Sequence, residues 1–181
     1  MLKNKNGKQI RVLSLFDGIS IAQQALKELG YEVEYYASEI DENSIKITQK
    51  NFPNTIQLGD VVDLTNEKEP TVMYSLKNSV DLIVGGVPCQ SWSIAGNRKG
   101  FEDDRGNMWW EFIRLLEEIK PKYFLAENVL GLLSHNKGSS FEKICGGMCE
   151  AGYEIDFEII NASLVSAQQR SRIFIFGKKL S

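Results

Sequence analysis

A cysteine placed directly after a proline, Pro88-Cys89, opens a polar, glycine-containing stretch that carries Arg98, Lys99 and Arg105. A thiolate reacts where it is accessible and where nearby positive charge favours its ionised form, so Cys89 is the candidate nucleophile. Cysteine more often packs as a small hydrophobe, and Cys145 and Cys149, one helical turn apart, fit that packing role. Glu127 follows the apolar run Tyr-Phe-Leu-Ala. Desolvation there would raise its pKa and suit it to proton donation; the alternative is an N-cap for the segment that follows. Gln168, Arg170 and Arg172 alternate along the chain, so a strand beginning there would point all three the same way. Paired arginines on one face suit a phosphate or a base carbonyl, although a solvated edge strand would read alike.

A second group of residues suggests a bound nucleoside. Phe16-Asp17-Gly18-Ile19-Ser20 follows an apolar block and precedes a helical pattern. Glycine there permits a tight turn and close backbone approach to a ligand, and an ordinary β–α turn would have the same look. Glu39 lies about twenty residues beyond that turn, where nucleotide-binding folds place an acid on ribose hydroxyls. Asp60 ends the next apolar block and could receive an adenine amino group. Carboxylates at two successive strand ends favour an adenosine-type ligand over an empty crevice. The full GxGxxG pattern is absent, which makes a nicotinamide oxidoreductase remote.

These residues need a scaffold that brings strand ends together. Short apolar blocks alternate with amphipathic stretches along the whole chain. Strands are expected over 10–16, 33–39, 56–58, 80–85, 123–126, 153–161 and 173–178, and helices over 20–29, 42–51 and 108–119. The last of these helices carries a wide apolar stripe and is closed by Lys120-Pro121. A weaker helix over 141–151 is expected to be broken by Gly146 and Gly147. Alternation of this kind implies an α/β, doubly wound, mostly parallel sheet covered on both faces. The final two strands lack a helix between them and should form an antiparallel pair at one edge. In such folds ligands bind at the carboxyl ends of the strands, which is where the candidate residues fall.

Composition narrows the classes. A chain of 181 residues is of single-domain size. Its three cysteines lack the paired spacing of a zinc site, and its one histidine, His135, sits in a polar stretch that reads as a solvated loop. No metal is expected. No apolar run is long enough to span a bilayer, and no signal-peptide pattern opens the chain, so the expected location is the cytoplasm. A net charge of −3 weakens a nucleic-acid reading without excluding it, because the field a partner feels is local.

Taken in order, these segments resemble the DNA (cytosine-5) methyltransferases over nearly the whole chain. Phe16-Asp17-Gly18-Ile19-Ser20 is similar to the family's first cofactor motif, in a variant lacking its usual second glycine pair. Glu39-Ile40 and Asp60-Val61 fall at its ribose and adenine contacts. Pro88-Cys89-Gln90 matches the nucleophile motif, and residues 93–100 resemble the mobile catalytic loop. Asp104-Arg105-Gly106, Glu127-Asn128-Val129 and Gln168-x-Arg170-x-Arg172 match the next three motifs. The resemblance implies a Rossmann-like fold and S-adenosylmethionine as cofactor, held by Phe16, Asp17, Gly18, Ile19, Ser20, Glu39, Ile40, Asp60, Val61 and Pro88. It also implies duplex DNA as substrate, met by Gln90, Ser91, Ser93, Arg98, Lys99, Arg105 and Gln168, and catalysis by Cys89, Glu127, Arg170 and Arg172.

The family's usual chain continues past the QxRxR strand into a target-recognition domain and two further motifs. Their absence from these 181 residues suggests one subunit of a split enzyme completed by a second polypeptide, a truncated gene, or a minimal and poor catalyst, in a phage or prokaryotic setting. The alternatives in function are a tRNA cytosine-5 methyltransferase and a non-catalytic regulatory homologue.

Overall fold

The computed structural model describes residues 9–65, 70–88 and 108–180. Seven strands form one sheet: β1 (Ile10–Leu15), β2 (Val33–Ser38), β3 (Ile56–Gln57), β4 (Leu82–Gly86), β5 (Tyr123–Val129), β6 (Tyr153–Asn161) and β7 (Ser171–Lys179), in the order β3-β2-β1-β4-β5-β7-β6. All neighbours pair in parallel except β7, which lies antiparallel between β5 and β6. The sheet is therefore α/β, mostly parallel, with an antiparallel edge, as its alternating pattern implies. Strand order reverses at β1, whose neighbours are β2 and β4, and a crevice opens outside such a switch point.

Helices α1 (Ile21–Glu28), α2 (Glu42–Asn51), α3 (Val61–Thr65), α4 (Pro70–Leu76), α5 (Met108–Ile119), α6 (Gly131–Ser134) and α7 (Ser139–Glu150) connect the strands. Asp41 caps α2, its carboxylate accepting from the Ser44 N–H at 2.8 Å, and those Ser44 contacts hold its pKa below the usual carboxylate range. The short α3 and α4 are additions to the sequence pattern, since neither is long enough to show a helical period. Helix α5 buries Trp109, Phe112, Ile113, Leu115, Leu116 and Ile119, each contributing roughly 1.5–3 kcal/mol by leaving water. Lys120 leaves the helix with φ +56°, and Pro121 prevents its continuation.

Helix α7 runs without a break through Gly146 and Gly147, contrary to the expected interruption. A β-carbon on Gly147 would stand 2.9 Å from Ile113 Cδ1 and 3.1 Å from the Trp110 ring. The missing side chain thus lets α7 close on α5, and packing outweighs glycine's low helix propensity. Two other expectations change. Cys149 is exposed rather than a packing residue, whereas Cys145 is half-buried and its thiol is pushed up to about 11 by burial. His135 is half-buried, with Nδ1 2.8 Å from Ser140 Oγ, rather than a solvated loop residue.

The two faces of the sheet are unequally covered. Leu13, Leu15, Ile83, Phe124, Ala126, Ile173 and Ile175 pack against α3, α4, α5 and α7 in the larger core. On the other face Val12, Leu82 and Val84 pack with Leu26 of α1. That face continues through the register Val84–Leu125–Phe176, where Leu125 is 37% and Phe176 44% exposed. Among the described residues no helix covers this part of the sheet.

Candidate active site

The β1–α1 loop is built from residues in left-handed backbone conformations. Phe16, Gly18 and Ser20 have φ of +55°, +59° and +61°. Glycine adopts such angles readily, and the other two need support from their surroundings. Ser20 is wholly buried. Its hydroxyl donates to Asp17 Oδ2 and lies 3.1 Å from Thr48 Oγ1. The other Asp17 oxygen accepts from the Tyr35 hydroxyl at 2.9 Å. Desolvation, and then the Asp17 charge, drive the Tyr35 pKa far above its ordinary value, so it remains a donor.

The loop's outer surface meets Glu39. The Gly18 N–H donates to Glu39 Oε2 at 2.7 Å, and Oε1 accepts from Ile40 and Asp41 at 2.8 and 2.9 Å. Across from it, Ser38 Oγ donates to Gly59 O at 2.8 Å, fixing the turn before Asp60. Asp60 Oδ1 accepts from the Val62 N–H at 3.0 Å at the start of α3. These groups surround a cleft of about 530 Å³ lined by Phe16, Glu39, Ile40, Asp60, Pro88 and Met108, among others. That volume is in the range of small-ligand sites. An apolar slot carrying two carboxylates suits a flat base and its ribose, so the residues present fit the adenosine part of S-adenosylmethionine.

A second groove, of about 560 Å³, begins on the other side of Phe16. It is lined by Asp17, Gly18 and Ile19 of the loop, by Gly86 of β4, and by Leu125, Glu127, Arg170 and Phe174. Phe16 and Gly86 border both spaces. Glu127 Oε1 is 2.8 Å from Arg172 Nε, with the two side chains 30% and 24% exposed. The ion pair, rather than an apolar wall, is thus the nearest surrounding of this carboxylate. Glu127 is not an N-cap, since α6 begins only at Gly131.

Asn128, which the residue-by-residue reading did not single out, is 1% exposed. Its Nδ2 donates to Val87 O at 3.0 Å and its Oδ1 accepts from Val129 N at 2.8 Å. The side chain ties β5 to the backbone just before Pro88-Cys89. Its place in Glu-Asn-Val was the available signal. Tyr35 and Thr48 had no such signal, because their role depends on contacts that β2 and α2 make with the β1–α1 loop.

The structure thus brings Phe16, Glu39, Ile40, Asp60, Val61 and Pro88 to one cleft, and Phe16, Asp17, Gly18, Ile19, Glu127 and Arg170 to the adjoining groove. Ser20 lines neither and lies beneath the loop. Strand β7 begins at Ser171, so Gln168 and Arg170 precede it and do not share a strand face with Arg172. Gln168 is exposed, with its N–H donating to Ser166 Oγ at 3.2 Å. Cys89, Gln90, Ser91, Ser93, Arg98, Lys99 and Arg105 lie outside the described residues. Among the described residues no cluster of metal-ligating side chains occurs, and no helix is long and apolar enough to cross a membrane.

A parallel sheet of this order, with acids at successive strand ends and a glycine turn at the switch point, defines an α/β methyltransferase-like fold. The C-5 cytosine-specific DNA methylase family model matches residues 10–181, and the chain belongs to that family. An orphan methyltransferase of Bacillus phage rho11s, M.Rho11sI, is 41% identical over 173 residues, covering 93% of this chain and 33% of the relative. The type II methyltransferase M.Bsp6I of a Bacillus species is 33% identical over 171 residues, covering 93% and 52%. Among solved structures, a proposed DNA modification methyltransferase encoded within an E. coli prophage superposes with a TM-score of 0.75 at 30% identity, covering 94% and 47%. The chain therefore spans between about a third and a half of the relatives it matches.

Proposed function

We propose that this chain carries the catalytic half of a DNA cytosine-5 methyltransferase, acting through a covalent adduct on Cys89. The observation that supports this most is the junction at Phe16 and Gly86, where a cleft fitted to adenosine meets a groove holding Glu127 and Arg170. Methyl donor and acceptor base need adjoining sites of that kind. S-adenosylmethionine, when bound by Glu39, Asp60 and the residues 16–19, supplies an electrophilic methyl group.

Carbon 5 of cytosine is too weak a nucleophile to take that methyl unaided. In this reading the Cys89 thiolate adds to carbon 6, forming a carbon–sulfur bond and pushing electron density to carbon 5. Glu127 holds and protonates ring nitrogen 3 as charge develops there, and Arg172 fixes the carboxylate and stands near the carbonyl oxygen. Arg170 supports the same groove. After methylation a base removes the carbon 5 proton, and the electron pair expels the cysteine. The target base must leave the duplex stack to reach such a groove, and Gln90, Ser91, Ser93, Arg98, Lys99, Arg105 and Gln168 are the residues that would meet DNA.

The exposed Phe176, on the antiparallel edge beyond the groove that Leu125 lines, supports a second element of the reading. An apolar side chain left open there suits packing against the target-recognition part of the enzyme, on this or a second polypeptide. The protein would act in the cytoplasm of a prokaryote or an infected cell.

Trapping on duplex DNA containing 5-fluorocytosine, with S-adenosylmethionine, tests the proposal. Fluorine at carbon 5 blocks the final elimination, so a working Cys89 stays attached and gives a shifted band that Cys89→Ser abolishes. A band that survives Cys89→Ser removes this residue from the mechanism. Trapping on tRNA but not on DNA would reassign the substrate. Cofactor binding without any band, even when a relative's target-recognition half is added, would favour a non-catalytic homologue.

A further inference from the structure

Ser20 stands where the backbone asks for glycine. Its φ of +61° is unfavourable for an L side chain, and it makes no capping bond to α1. The hydroxyl instead points into the protein, donating to Asp17 Oδ2 and lying 3.1 Å from Thr48 Oγ1. Thr48 is fully buried and is the buried residue of α2. Its hydroxyl also lies 3.5 Å from Gly18 O. From the sheet, the Tyr35 hydroxyl reaches Asp17 Oδ1 at 2.9 Å, and Tyr35 is 2% exposed.

We propose that Asp17, Ser20, Thr48 and Tyr35 form a buried brace that replaces a glycine in the cofactor loop, with Thr48 and Tyr35 as positioning residues for S-adenosylmethionine. The inference rests on the reading that this loop binds the cofactor. The physical path is short. Gly18 sits between the two braced residues, and its N–H holds Glu39 Oε2 at 2.7 Å. A loop that loses its brace shifts the Gly18 N–H, and with it the carboxylate lining the adenosine cleft. Neither Thr48 nor Tyr35 lines that cleft, so neither is a catalytic residue. A glycine at this position would reach the same φ with no brace at all.

That difference gives the test. S-adenosylhomocysteine binding is measured by calorimetry for Thr48→Val, once in the natural sequence and once together with Ser20→Gly. In the natural sequence Thr48→Val strands the Ser20 hydroxyl and Gly18 O, which lie 3.1 and 3.5 Å from the threonine oxygen, and should weaken binding about tenfold. In the Ser20→Gly background the same substitution removes only the long contact to Gly18 O, and its effect should shrink to about twofold or less. Equal losses in both backgrounds would mean that Thr48 merely packs α2, and no loss in either would remove the brace from cofactor binding. Should the unmutated protein fail to bind, the cofactor reading itself falls. Amide exchange in the ligand-free protein then decides the brace separately. Thr48→Val should speed exchange of the Ser20 N–H, now bonded to Asp17 O at 3.2 Å, only when Ser20 is present. Unchanged exchange overturns the brace.

Discussion

Glu39→Ala separates the contribution of this carboxylate to the loop from its contribution to a ligand. In the structure the side chain accepts from Gly18, Ile40 and Asp41 at 2.7, 2.8 and 2.9 Å. The Ile40 and Asp41 bonds are exposed, and their N–H groups regain water after truncation. The Gly18 bond is partly buried and is the one whose loss is felt. A hydrogen bond to a charged group is worth about 1.5–3 kcal/mol at most, so the ligand-free protein should lose about 1–2 kcal/mol. For a chain of 181 residues that corresponds to a melting point lower by roughly 2–8 °C. Ligand binding should suffer more, because the same carboxylate would hold the ribose hydroxyls. Loss of one such charged bond predicts S-adenosylhomocysteine affinity weaker by about 10- to 150-fold. Calorimetric titration beside thermal melts reads both quantities. A folded Glu39→Ala protein that binds within about twofold of the original refutes the placement of the ribose at this cleft.

Two further outcomes follow from packing. Gly147→Ala inserts a β-carbon 2.9 Å from Ile113 Cδ1 and 3.1 Å from the Trp110 ring; crowding of about 1–3 kcal/mol set against a helix gain of about 0.5–1 kcal/mol should leave a net loss of up to about 2 kcal/mol. Gly146→Ala meets nothing within 4 Å and should stabilise α7 by about 0.5–1 kcal/mol; thermal melts of opposite sign are expected, and equal shifts would refute the α5–α7 contact. At pH 8 a maleimide should modify Cys149 ahead of Cys145, since burial raises the Cys145 pKa to about 11 and leaves it almost entirely protonated. Peptide mapping reads the order, and equal labelling would show that α7 is not packed as described.

The strand alternation and α5 were legible because their apolar periods are long and unbroken. Helices α2 and α5 and strand β6 begin and end where the pattern places them. The carboxylates at 39 and 60 were legible for a different reason: in a parallel sheet, position after a strand is itself a statement about location. What could not be read was anything decided by contacts between elements distant in the sequence. Gly146-Gly147 looks like a break until Ile113 and Trp110 are seen opposite it. Arg170 looks like a strand residue until the ladder proves to start at Ser171. Ser20 looks like a defect in a glycine motif until Thr48 and Asp17 are found beneath it.

Strand β5 shows why the acid and its neighbour appear together in the sequence. Successive residues of a strand face opposite sides. Glu127 therefore enters the open groove, opposite Gly86 in the register, while Asn128 turns into the core and reaches Val87 O. One step of alternation supplies both an acid in the groove and a tether on the segment leading to Pro88-Cys89. The arrangement also constrains β4, since a β-carbon on Gly86 would stand 3.5 Å from Glu127 Oε2. A methyl group could be accommodated there, whereas any longer side chain would compete with Glu127 for the groove. The two glycines ending β4 serve different partners. At Gly85 a β-carbon would press on Phe112 at 3.0 Å and on Leu15 O at 3.1 Å. Gly85 thus preserves the contact between strand and α5, and Gly86 preserves the space in which an acid and a base would meet.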